Sequence, residues 1–271
     1  MASTRFAKSL SAFSSSSAAC MADNPFDSAK LLLDRAREHR EELSRRSKAF
    51  FDDNPYTTVV EFDSHSGLYI RYARLPHPLP PSLFPVAADA FNNLRHALDQ
   101  AVCASALAKD PSVDLDGVGF SFGKNPTEFR KKFRTTRSKI APDIETAIAG
   151  FEPYKRGNGH VGGDNQFCAL NELCRTNKHR VLIALKGGIK QMNINTATVW
   201  RDAPFLLPVW DSAKGELIAG AADHPDKLNY DLGLTFSVVI GDIDGIRDWP
   251  ALGAFDLLSD KVRTVLRCLE T

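Results

Sequence analysis

Asn177-Lys178-His179-Arg180 is the densest run of chemically able side chains in the sequence. An imidazole titrates near neutral pH and can act as a general base. Cations beside it tend to lower its pKa and would steady an anionic reacting group. Arg175 precedes His179 with three residues between them. Arg175, His179 and Arg180 are therefore the candidate catalytic residues, and Asn177 and Lys178 the candidate binding residues beside them. A second set is Arg95 and Asp99, four residues apart on a predicted helix, where they can pair with each other or lean into a groove between helices. A third is the stretch from Arg130 to Lys139, with six basic residues and no acid. Arg130, Lys131 and Arg134 are its candidate phosphate contacts, although such a run also suits a solvated helix face.

Other chemistries lack their residues. No GxSxG, HExxH or Walker sequence occurs, so the common nucleophile, zinc and phosphate-loop patterns are absent. Gly241-Asp242-Ile243-Asp244-Gly245 falls short of the full calcium-loop pattern and reads as a turn. His39 falls on an apolar helix stripe, and His65 and His77 sit in or beside loops without companion ligands. No metal and no cofactor is expected. With 34 basic and 33 acidic residues the net charge is +1, so any pull toward nucleic acid must be local. No apolar run approaches the ~20 residues of a membrane span, so no membrane partner is expected.

Elements must position these groups. Asn24-Pro25 opens a helix over 25–51, with Leu32, Ala36, His39, Leu43 and Phe50 as its apolar stripe. Alternation over 57–63 and 68–74 around Ser64-His65-Ser66-Gly67 predicts a β-hairpin. Prolines at 76, 78, 80 and 81 stiffen the connector that comes next. A helix over 81–108 carries Asn92, Arg95 and Asp99 beside its apolar face. Residues 117–123 look extended. Asn125 caps the helix that holds the basic run, with Pro126 at N1 and Glu128 at N3, and the helical part continues through 151. A helix over 165–187 carries the opening cluster. On its wheel, Asn177 points into the apolar face, Lys178 and Arg180 flank it, and His179 points away. A buried Asn needs partners, so this helix reads as a polar lock against the 81–108 helix, with Asp99 accepting from Lys178 or Arg180. Strand candidates come after it at 190–200, 205–210, 216–221 and 232–240, and an amphipathic helix over 250–269 closes the chain.

The five cysteines are odd in number and show no CxxC spacing. Cys103, Cys168, Cys174 and Cys268 lie among apolar helical residues, which suits reduced core thiols and a cytoplasmic location. For residues 1–24 three readings compete: a lipoprotein signal ending at Cys20, a transit peptide, or a disordered tail with Met21 as the true start.

The pairing of Asn93-Leu94-Arg95-His96-Ala97-Leu98-Asp99 on one helix with Leu173-Cys174-Arg175-Thr176-Asn177-Lys178-His179-Arg180 on a later one resembles a group of uncharacterised bacterial proteins with "LR-x-x-LD" and "NKHR"-like helices. The helical part also resembles the HEPN superfamily. That resemblance implies a helical bundle, a metal-independent ribonuclease of toxin or phage-defence systems, RNA as partner and a homodimer as working form. The superfamily hallmark places more residues between its Arg and His than the three found between Arg175 and His179.

Together these features predict an α+β fold: a helical bundle packed with a mostly antiparallel β-sheet, in one domain over 25–271. Two functions are expected from it, a non-enzymatic binding or accessory protein or a HEPN-like ribonuclease. Whether the chain is an enzyme at all stays open at this point.

Overall fold

The computed structural model describes residues 24–53, 56–157, 159–179, 185–194, 210–211 and 214–271, with backbone alone at 176–179 and 193–194. The N-terminal tail other than Asn24, residues 195–200 of the 190–200 strand candidate and residues 205–209 of the 205–210 one lie outside them. The fold is α+β, with helices α1 (Asp27–Asp53), α2 (Leu83–Lys109), α3 (Pro126–Lys139), α4 (Pro142–Gly150), α5 (Asn165–His179) and α6 (Ala251–Glu270). Its strands are β1 (Thr57–Asp63), β2 (Leu68–Arg74), β3 (Leu185–Ile194), β4 (Trp210–Asp211), β5 (Glu216–Ala222) and β6 (Leu232–Ile240). No helix is long and apolar enough to cross a membrane among the described residues.

The centre of the molecule is α2, not α5. Its sequence is rich in alanine and buries residues on nearly every side, from Leu83 and Phe91 to Leu98 and Val102. Small side chains let other helices approach closely, and α1, α5 and α6 all pack on it. Phe167, Leu170 and Leu173 place the buried face of α5 in the same core.

The helix predicted over 165–187 is shorter. It ends at His179, and Leu185 opens β3. An all-apolar run fits a buried helix or a buried strand equally well by periodicity. Gly187 and Gly188 directly after it are the local signal for a strand with close neighbours: a Cβ on Gly188 would sit 2.6 Å from Val239 Cγ1.

The strands form two sheets where one was expected. The β1–β2 hairpin pairs through β2 with β5, and β4 completes a four-stranded antiparallel sheet in the order β1-β2-β5-β4. β3 and β6 form a separate antiparallel ribbon. Two apolar clusters correspond to this division, a large one among the helices and a smaller one around Ala73, Leu217, Ala219 and Leu228.

The direction of α6 against α1 decides where the helical layer opens. Lys30 pairs with Glu270, near the end of α6, and Arg40 pairs with Asp256, near its start. The two helices therefore run antiparallel, and the part of α1 after Arg40 extends past the first residue of α6. Beyond that point α1 faces the outer edge of β6.

Candidate functional site

The Arg95–Asp99 pair forms within α2 as its spacing predicts, with Nη1 2.5 Å from Oδ1. Among the described residues its further partners are backbone groups; the side chains of Lys178 and Arg180, expected as donors to Asp99, lie outside the described residues. Arg95 Nη2 donates to Phe120 O at 2.8 Å, and Phe120 N donates to Asp99 Oδ1 at 2.9 Å. The Arg95 guanidinium lies over the Phe122 ring, 5.1 Å from its centroid. From the other side Thr136 Oγ1 accepts from Gly119 N and donates to Gly119 O. The irregular 117–123 segment is thus clamped between α2 and α3, and the pair satisfies backbone groups that no strand ladder takes up. Cys103 lies on the same face, its thiol pushed up by burial and by the nearby Asp99 carboxylate.

The basic helix begins as predicted. Asn125 Oδ1 accepts from Glu128 N at 2.8 Å, and Glu128 Oε2 accepts from Lys124 N. Phe129 and Phe133 are buried and stacked, while Arg130, Lys131 and Arg134 are exposed. Lys132, Arg137 and Lys139 are tied to Glu128, Glu145 and Asp114. Among the described residues no ion pair forms at Arg130, Lys131 or Arg134, so these three cations are the available part of the run.

On α5, Asp164 supplies the N-cap, accepting from Phe167 N at 2.8 Å, and Lys261 of α6 pairs with the same carboxylate. Arg175 is exposed near the end of the helix. The backbone of Asn177, Lys178 and His179 belongs to the last turn. Their side chains and Arg180 lie outside the described residues, and so do the orientations expected of them. Cys168 and Cys174 are buried, and desolvation raises the Cys168 thiol to about 12. Cys268, expected in the core, is exposed on α6.

A cavity lies elsewhere, where α1 overshoots the start of α6. It has a volume of about 760 Å³. From α1 it is lined by Arg40, Ser44, Ser47, Lys48, Phe51 and Asp52, residues that share one helix face. Leu234 to Val238 of β6, with Tyr56 and Lys190, form the facing wall, and Pro250, Leu252 and Gly253 bring in the first turn of α6. Antiparallel geometry sends the backbone groups of alternate β6 residues away from β3. Tyr56 donates to Leu232 O, and Ile240 N donates to Trp249 O at 2.9 Å, which fixes that outer edge as the one carrying Leu234 and Phe236.

Two features of this cleft set it apart. Ser47 Oγ and Ser237 Oγ are the buried side-chain polar atoms without a hydrogen-bond partner among the described residues, and both residues line it. The first turn of α6 has no side-chain cap, because Pro250 holds the N-cap position. Its leading N–H groups have no intrahelical acceptor. The charges around the cleft are largely consumed. Arg40 makes a two-pronged bond to Asp256, 3.0 and 2.8 Å, which raises its already high pKa. Lys48 pairs with Asp52. Lys190 is exposed and forms no ion pair among the described residues.

None of these cleft residues is a candidate by sequence. The available signal is the run of Arg40, Ser44, Ser47, Lys48 and Phe51 along one side of α1, a mixed stripe between its apolar and charged faces. Serines in a charged helix read as solvent-facing, yet Ser47 falls in line with the buried Ala36 and Leu43 of the same helix. Among the described residues no group of His, Cys, Asp and Glu is arranged to hold a metal ion. The chain matches no family model, no curated protein and no solved structure.

Proposed function

We propose that the chain is a non-enzymatic binding protein and that the cleft between α1, β6 and the start of α6 is its binding site. The observation that carries this reading is the cleft itself, walled by Phe51 of α1, Leu234, Phe236 and Val238 of β6 and Leu252 of α6. The volume of about 760 Å³ lies within the range of small-molecule sites. The buried and half-buried cysteines suit a reducing compartment, which supports a cytoplasmic location. A fragment screen by ligand-observed NMR tests the site, comparing the native chain with Ser44→Trp, which places a large side chain in the cleft. Fragments should bind the native chain and lose binding in the variant. Fragments that bind both equally would place the site elsewhere.

A second reading is a ribonuclease of HEPN type using Arg175 or Arg180 with His179 and acting as a homodimer. Arg130, Lys131 and Arg134 favour it, since they are exposed, form no ion pair among the described residues and offer one helix face to a phosphate backbone. Incubation with a mixed RNA pool separates the readings. Cleavage abolished by His179→Ala supports the enzyme, cleavage that persists removes His179 from it, and intact RNA leaves the binding protein.

A further inference from the structure

We infer that a second copy of this chain docks along the free edge of β1, antiparallel to it about a two-fold axis through Val60, so that the two four-stranded sheets join into one. The contact is independent of the cleft and of the basic face of α3.

Every other sheet edge among the described residues is short or engaged. β4, at the far side of the four-stranded sheet, is two residues long. On β3 the Trp210 indole donates to Gly187 O. The outer edge of β6 meets α1 and α6, and Trp249 and Asp248 bond to Ile240 there. β1 has neither kind of protection. It runs for seven residues, pairs with β2 along its whole length without a register shift, and has no strand on its other side among the described residues. It carries no lysine, no proline and no bulge, the devices that usually blunt an edge. Every second residue of such a strand turns its N–H and C=O away from the existing partner, and another strand can take them up.

Thr58, Val60 and Phe62 share one face of β1, and all three are exposed. Val60 is 42% exposed and Phe62 58%, and among the described residues they are the exposed large apolar side chains that lie on a strand. The Phe62 ring leans on Tyr69 of β2, with centroids 5.2 Å apart.

The match of the strand to itself selects a second copy over a foreign strand. A closed dimer uses the same patch on both subunits. With the axis at Val60, the midpoint of β1, Val60 meets Val60, Phe62 meets Thr58, Glu61 meets Val59 and Asp63 meets Thr57. No acid faces an acid. Glu61 is held within its own subunit by Arg74, at 2.7 and 3.1 Å, and Asp63 by the Ser66 hydroxyl and the N–H groups of His65 and Ser66. Moving the axis to Glu61 sets two carboxylates opposite each other, which is repulsive. Moving it to Val59 carries Phe62 beyond the end of the facing strand.

Sedimentation equilibrium of the full chain, up to about 1 mM, tests the contact, since one strand pair makes a small and weak interface. The native chain should dimerise. Val60→Lys and Val60→Glu each set like charges across the axis and should each weaken association more than roughly tenfold. An equimolar mixture of the two should recover the dimer, because a lysine then faces a glutamate. Phe62→Ala, which only trims an exposed ring, should weaken association about fivefold with the native circular dichroism spectrum retained. A native chain that stays monomeric at every concentration leaves the edge to a foreign strand and overturns the proposal. A dimer that Val60→Lys and Phe62→Ala leave unchanged places the interface elsewhere and overturns it too. Folded lysine and glutamate variants that do not recover the dimer when mixed overturn the axis at Val60.

Discussion

Asp99 uses a single oxygen to hold two donors, the Arg95 guanidinium and the Phe120 N–H. Removing the carboxylate leaves both without their acceptor and frees the 117–123 segment from α2. The Asp99 side chain is 35% exposed and that of Arg95 17%, so water can reach part of the vacated site. Asp99→Ala should therefore cost about 2 kcal/mol, inside the 1–3 kcal/mol expected for orphaned buried donors. Asp99→Asn, which keeps an oxygen for Phe120 N–H, should cost about half as much. Urea denaturation monitored by circular dichroism measures both, and an alanine variant indistinguishable from native would remove the clamp. Spacing alone reveals the pair, because residues four apart on a helix meet. It cannot reveal the partner. Phe120 lies 21 residues further on, in a short extended stretch whose alternation does not say which element it meets, so nothing in the pattern points back to α2.

At the scale of elements, sequence expectation and structure agree where local chemistry is decisive. Asn125-Pro126 with Glu128 three residues after the cap starts α3 where expected, because the cap, the fixed proline φ and the first-turn acid agree. Alternation from Leu232 to Ile240 gives β6 directly. Expectation fails at Leu185, which opens a strand in an apolar run that helix periodicity also accepts. It fails again in the sheet. Alternation suggests one sheet for the 57–74 hairpin and the later strands, yet pairing partners depend on which apolar faces the helices leave free. Glu216–Ala222 buries nearly every residue and takes the place beside β2, while β6 turns its outer edge to α1 and α6. The cleft is hidden from the sequence for the same reason. It is made by the relative placement of three elements, each of which looks ordinary by itself.

At the scale of the whole molecule, two apolar clusters share one strand. β6 belongs to both: Leu232 packs in the sheet cluster, and Val238 and Ile240 pack among the helices. Between them Phe236 contacts Phe51 and Tyr56 on one side and Trp210 on the other. Trp210 also donates from Nε1 to Gly187 O at 2.7 Å, tying β4 to β3. Phe236 is therefore the joint between the helical layer and the four-stranded sheet. Phe236→Ala should cost about 3 kcal/mol, near the lower end for a truncated phenylalanine because the ring is only partly buried. Cooperativity makes the sharper prediction. In the native chain, tryptophan fluorescence and far-ultraviolet circular dichroism should report one coincident urea transition. Fluorescence reads Trp210 at the joint together with Trp200 and Trp249, whereas circular dichroism is dominated by the helices. With the ring removed, β6 and its ladder to β3 still connect the clusters, so the two probes should shift together to lower urea. Transitions that separate in the variant would show that the aromatic joint, and not the β3–β6 ribbon, makes the sheet and the bundle unfold as one.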